Sequence, residues 1–178
     1  MISMLLVMCI LLSACLKKPE KEILKENQFY LLAGDGKKLS VELPIEFVVK
    51  EEEKEVSVLK SYYNGCMLDL FELYYFKESE DYGISELQQQ LDTYIDEYHE
   101  LISVAKGKMI SETEPKECTA GAMQGALAEV TYSMEDNICY CAEFYLYEGE
   151  YVLHGTLRLS GENAGNITIE ELIKKLGI

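Results

Sequence analysis

The chain has 178 residues, with 32 Asp and Glu against 16 Lys and Arg and a formal charge of −16. That balance excludes the basic stripe a nucleic-acid surface needs and disfavours anionic lipid headgroups. It leaves enough chain for one domain with a sizeable core, and a surface suited to solubility or to cationic partners.

Residues 1–12 are apolar apart from Ser3, and they run into Leu12-Ser13-Ala14-Cys15. This stretch resembles a bacterial lipobox. Lys17 and Lys18 stop the run short of the about 20 apolar residues that span a bilayer. A secretory signal fits better, with small residues before the cut. Residues 1–14 are therefore expected to be a lipoprotein signal peptide and Cys15 the lipidated first residue of the mature chain. Two or more acyl chains would hold it on the membrane, facing outside the cytoplasm. No Lys or Arg precedes Cys15, although signal peptides open on a basic segment. The start then lies upstream or the signal is weak. Residues 15–27, rich in Lys and Glu around Pro19, read as a polar tether.

Residues 28–178 read as a single α+β domain. Residues 28–33 suggest a strand, followed by a turn at Gly34-Asp35-Gly36. Val41, Leu43, Ile45 and Phe47 alternate with polar residues, which predicts a strand with one buried face. Pro44 has no N–H to donate, so that strand is at an edge or is broken there. Residues 56–63 and 67–76 form a hairpin through Asn64-Gly65, since both residues tolerate positive φ. The second of these strands is apolar on both faces, Leu68, Leu70, Tyr74 and Phe76 against Met67, Phe71, Leu73 and Tyr75. That predicts a central strand covered on both sides. Residues 85–106 carry a helical stripe of Leu87, Leu91, Tyr94, Ile95, Tyr98, Leu101, Ile102 and Ala105. Ser85 with Gln88 is the expected capping box and Gly107 the C-terminal cap. Residues 108–113 suggest a strand, 114–116 a polar break, and 128–134 another strand, with a turn at Asp136-Asn137.

A last hairpin follows. With Glu148-Gly149 as its turn, Leu146 faces Tyr151, Glu143 faces His154, Cys141 faces Thr156 and Cys139 faces Arg158. The alternative one-residue slip would mix polar and apolar faces. A closing helix is marked by the Thr168–Glu171 capping box, the Ile167–Leu172 staple and the face Ile169, Leu172, Ile173 and Leu176. The order predicts an antiparallel sheet of about six to seven strands, with a long helix after the first strands and a short C-terminal helix.

Leu39-Ser40-Val41-Glu42-Leu43-Pro44, the helix at 85–106, Ala126 through Tyr132, the hairpin and the short closing helix together resemble the PsbP-like fold. This family includes many small bacterial lipoproteins. The resemblance implies an α/β/α sandwich and scaffold or assembly roles around membrane complexes.

No phosphate loop, dinucleotide fingerprint, zinc-protease motif or nucleophile elbow is present. The chain reads as a non-catalytic binding or assembly module, needing no cofactor and with room for a protein partner in the envelope. The constellation that carries chemistry is Cys139, Cys141, Glu143, His154 and Arg158, which the register puts on one face. Cys139, Cys141 and His154 are metal-ligand types, which offers a metal- or thiol-dependent protein as the alternative. Cysteines two apart on a strand project about 7 Å apart, which strains tetrahedral ligation. Cys66, Cys118, Cys139 and Cys141 could form disulfides outside the cytoplasm or remain buried thiols. Thirteen tyrosines fall mostly at alternating strand or helix-stripe positions, which core and boundary packing explains first.

Overall fold

The computed structural model describes residues 25–50, 52–78 and 83–178. The lipobox and nearly all of the tether lie outside the described residues. Eleven strands are described: β1 (Gln28–Leu32), β2 (Lys38–Glu42), β3 (Phe47–Val49), β4 (Glu55–Val56), β5 (Val58–Tyr63), β6 (Leu70–Lys77), β7 (Lys108–Glu112), β8 (Lys116–Ala120), β9 (Met123–Met134), β10 (Asn137–Glu148) and β11 (Tyr151–Ser160). Helix α1 (Ile84–Val104) follows β6, and helix α2 (Ile169–Lys175) closes the chain.

The fold is α+β, but the described strands form two sheets. The main sheet is antiparallel and eight-stranded, in the order β3-β5-β6-β11-β10-β9-β7, with β8 beside β7 on the same edge of β9. A separate three-stranded sheet runs β2-β1-β4, and β1 and β4 are parallel. Pro44 causes the split. The expected alternation holds for Val41 and Leu43, which are buried, then fails at Ile45, which is 90% exposed. Phe47 turns back into the core on β3, in the main sheet. Strand β8 was not legible because its Lys-Glu-Cys-Thr run looks like an extension of the polar break before it.

Asn64 and Gly65 both take positive φ, 47° and 74°, and the Cys66 amide donates to the Tyr63 carbonyl at 2.9 Å. The next strand starts at Leu70 rather than at 67, because Cys66 to Asp69 makes a second turn closed by Asp69 N–H to Cys66 O. Met67 and Leu68 are therefore exposed, at 57% and 74%, rather than on a strand face. Beyond the turn β6 is central, between β5 and β11, as expected, but it is covered on one side only: Phe71, Leu73 and Tyr75 are buried, while Leu70, Tyr74 and Phe76 on the other face are half-buried.

The last hairpin keeps the expected faces but shifts its pairing by two residues. Its turn is Gly149-Glu150, with Gly149 at φ 61°, so Glu148 pairs with Tyr151 and Tyr145 with His154. Glycine takes the first central position, where positive φ is needed. The β9–β10 turn similarly falls one residue early, at Glu135-Asp136, with Glu135 at φ 54°.

Helix α1 is capped at Gly83, not at Ser85. The Glu86 carboxylate accepts from the Gly83 amide at 3.1 Å and from the Ser85 hydroxyl at 2.9 Å. Leu87, Leu91, Ile95 and Ile102 are buried, while Leu101 is half-exposed at 53%. Helix α2 matches its sequence signals. Thr168 and Glu171 form both halves of the capping box, and Ile167, Ile169, Leu172, Ile173 and Leu176 are buried. The Tyr140 hydroxyl accepts from the Ile169 amide at 2.8 Å, which satisfies a free donor of the helix start.

These elements make three layers. One face of the main sheet, including Phe71, Leu73, Phe144 and Leu157, packs under the small sheet and α2. The other face meets α1 through Ala126, Ala128, Val130 and Cys141. No helix among the described residues is long and apolar enough to cross a membrane.

Candidate functional site

Helix α1 lies mainly over β9, so it leaves part of its sheet face open. A cleft of about 550 Å3 forms there, floored by β6, β11 and β10 and walled by α1.

Strand register sorts the floor into three rungs. The first is aromatic: Tyr74 pairs with His154, and His154 with Tyr145. The His154 ring is held between them, parallel to Tyr145 at 4.4 Å and near-parallel to Tyr74 at 5.8 Å. The second rung is acidic, with Glu72 beside Thr156 and Thr156 beside Glu143. The third sets Arg158 between Leu70 and Cys141. Alternation in three adjacent strands is what puts these side chains on one face.

The acidic groups of the floor are tied to neighbours. Glu143 is 9% exposed. One of its oxygens accepts from the Tyr145 hydroxyl at 2.5 Å and lies 2.8 Å from His154 Nε2. The expected Glu143–His154 contact thus exists, but diagonally rather than directly across the strands. Glu72 pairs with Lys60 at 2.8 Å.

The α1 wall supplies Tyr94, Glu97 and Tyr98. The Tyr94 and Tyr98 rings are tilted against each other at 4.8 Å, and Tyr98 touches Tyr132 at 5.9 Å. The Tyr98 hydroxyl lies beside Arg158 and Cys141. Burial pushes the Tyr94 and Tyr98 hydroxyls above their usual range, so both stay protonated at neutral pH. Glu97 is exposed at the rim.

All five residues of the expected constellation do share this face, but they divide into separate groups. Cys141 is buried among Tyr98, Tyr132 and Arg158, and burial raises its thiol pKa despite those polar neighbours. A thiol held protonated is a poor nucleophile and a poor metal ligand. Among the described residues, no three His, Cys, Asp or Glu side chains converge as a metal ion requires. Cys139, Cys141 and His154 are not brought together. Cys66, Cys118, Cys139 and Cys141 are all free thiols. Cys66 lies in the β5–β6 turn, and Cys118 packs on the opposite face of the sheet from Cys141. Burial pushes the Cys118 thiol up to about 12. His99, on the outer side of α1, pairs with Glu112 at 2.6 Å, away from the cleft.

Glu72, Tyr74, Thr156, Tyr94, Glu97 and Tyr98 belong to the site but were not singled out in the sequence. The alternation in β6 already put Leu70 and Tyr74 on one side. Which strand β6 would neighbour is a long-range pairing with no local signal. A second depression, of about 640 Å3, lies beside β3 and is lined largely by Phe29, Ile45, Phe47 and Val48. It carries less chemistry.

No protein-family model and no curated protein matches the sequence. Among solved structures, the chain is similar to a crystal structure from Bacteroides thetaiotaomicron VPI-5482, with a TM-score of 0.49 and 13% identity. The similarity covers 78% of this chain and 44% of that one, so this chain spans less than half that protein's length.

Proposed function

We propose that this protein is a non-catalytic binding module, tethered to the outer side of a membrane through lipid on Cys15. The observation that carries the binding role is the cleft beside α1. It is open, it is walled by aromatic rings, and Glu72 and Glu143 on its floor are already partnered by protein groups rather than poised for a reaction. The anchor is supported by the apolar run ending at Leu12-Ser13-Ala14-Cys15. The PsbP-like resemblance, which rests on Leu39 to Pro44, the long helix, Ala126 to Tyr132, the last hairpin and the short closing helix, implies an assembly role and supports this reading.

Intact-mass spectrometry of protein extracted from membranes tests the anchor. The expected product lacks residues 1–14 and carries a diacylglyceryl group on Cys15. Unmodified Met1 in a membrane-free fraction overturns it. Metal analysis and thiol titration test the alternative of a metal- or thiol-dependent protein. Stoichiometric metal, or a fast-reacting Cys139 or Cys141, would replace the binding reading.

A further inference from the structure

The chemistry lining the cleft narrows its ligand. Its volume of about 550 Å3 suits a small molecule. Three carboxylates line it, Glu72, Glu97 and Glu143, against one guanidinium, Arg158. Arg158 stands at one end, beside Tyr98 and Cys141 and exposed to solvent. Lys60 partly offsets Glu72, but from β5, outside the cleft lining. Glu97 has no such partner among the described ion pairs. The whole chain adds a field of the same sign, with a formal charge of −16. Such a field draws cations into a low-dielectric cleft and repels anions.

The aromatic walls point the same way. A ring face attracts a cation within about 6 Å of its centroid, most strongly where water is excluded. Elsewhere this protein uses that attraction on its own lysines: Lys54 over Phe29 at 4.2 Å, Lys50 over Tyr62 at 5.2 Å and Lys38 over Tyr30 at 5.6 Å. Among the described residues no lysine covers Tyr74, Tyr94 or Tyr98. Those three rings line the cleft with carboxylates beside them. Rings with adjacent carboxylates suit an ammonium whose bonded carbons are apolar, and a bare metal ion has no use for the rings.

We propose that the cleft binds an organic cation, an amine or quaternary ammonium on a small apolar body. Glu72 and Glu97 counter its charge, and Tyr74, Tyr94 and Tyr98 cover its hydrocarbon. This rests on the reading of the protein as a binding module and specifies what that module takes.

The test is NMR titration of the full chain in neutral detergent with matched probes. Choline is compared with its neutral isostere 3,3-dimethylbutanol, and phenethylamine with phenylacetate. The expected result is that both cations shift resonances of Tyr94, Tyr98 and Thr156, at least tenfold more tightly than the neutral and anionic probes. Their affinity should fall as salt is raised. Glu97→Lys, on the exposed rim and so neutral for folding, should weaken the cations about tenfold, with Glu97→Gln between it and the parent. Equal binding of choline and its isostere overturns the cation assignment. So does tighter binding of phenylacetate at the same resonances, which would leave a binding cleft of the opposite preference. If no probe moves any cleft resonance at millimolar concentration, both the assignment and the cleft's place in the binding reading fall.

Discussion

The two faces of the main sheet are built from the same strands and differ in what covers them. The closed face lies under both the small sheet and α2, and Phe71, Leu73, Phe144 and Leu153 on it are 0% exposed. The open face has one helix. A helix with its side chains is about 10–12 Å wide, and strands are about 4.8 Å apart, so one helix covers about two strands. Its position is set by side-chain size. Ala126 and Ala128 on β9 are 0% exposed and small, so α1 can settle close to β9 and bury Leu87 and Leu91 there. The uncovered remainder, β6, β11 and part of β10, is then a necessary cleft. Its lining is not dictated by that geometry. Solvent contact alone would be met by any polar residues, whereas here the rungs carry a stacked Tyr74–His154–Tyr145 row and an acidic row beside it.

The largest effect should separate the faces directly. Phe144→Ala, in the closed core, is expected to cost about 3–5 kcal/mol in urea unfolding. Thr156→Val, on the cleft floor, is expected to change stability by less than about 0.5 kcal/mol. Equal costs would mean that the open face is core as well. The neighbour of Phe144 on β11 makes the same point. A Cβ on Gly155 would lie 2.2 Å from the Phe144 ring, so the closed face has no room for one methyl group.

The next effect comes from the buried carboxylate that fastens the β5–β6 turn to the end of β11. Asp69 is 1% exposed. It accepts from the Ser160 amide at 2.6 Å, the Ser160 hydroxyl at 2.9 Å and the Asn163 side chain at 2.7 Å. Burial alone would raise its pKa, but the hydrogen bonds from Asn163, Cys66 and Ser160 outweigh burial and hold it below the usual 3.8. A carboxyl with a depressed folded pKa contributes stability that is complete above its unfolded value and lost as pH falls through the folded one. Asp69→Asn is therefore expected to cost about 1.5–3 kcal/mol at neutral pH and to flatten the loss of stability below about pH 4. Urea midpoints across pH 2–7 would show it, and an unchanged acid limb would count against this role.

Much of this architecture was legible in the sequence, for reasons that are local. The α2 capping box, the Asn64-Gly65 turn and the α1 stripe are set by neighbours within four residues, and each forms. The β10–β11 faces also follow from alternation, but a shift of two residues keeps every face unchanged, so alternation could not choose between the two pairings. The turn glycine chose, by taking the position that needs positive φ. The split into two sheets and the cleft were less legible. They depend on where Pro44 sends the chain and on which strand comes to lie beside β6. Three residues of the cleft, Glu143, His154 and Arg158, were named from one hairpin, but the half of the cleft on β6 and α1 came from elements distant in sequence.

Within the cleft, Glu143→Gln is expected to cost about 1 kcal/mol. The amide keeps an acceptor for Tyr145 or His154 but loses the charge that strengthens both bonds. The stacked rings should stay in place, and the ring resonances of His154 and Tyr145 report this. A loss as large as that from Phe144→Ala would make Glu143 a keystone of the fold rather than a cleft group.

The smallest effect tests how firmly α1 is held on the open face. The expected cap glycine, Gly107, is not the residue in the left-handed region; Lys106 is, at φ 57°. The Lys106 amide donates to Ser103 O and the Gly107 amide to Ile102 O, so the helix ends in a Schellman arrangement without glycine at its turning position. An L residue there costs about 1 kcal/mol, so Lys106→Gly is expected to stabilise by about 0.5–1 kcal/mol. Gly107 serves close approach instead, because a Cβ on it would lie 2.8 Å from the Ser133 carbonyl on β9. Gly107→Ala should therefore change stability in the opposite sense. If hydrogen exchange shows the last turn of α1 slowing in Lys106→Gly while β10 and β11 do not change, the helix is an independently loosening wall of the cleft. If every element slows together, helix and sheet open as one unit, and the two faces differ in chemistry but not in stability.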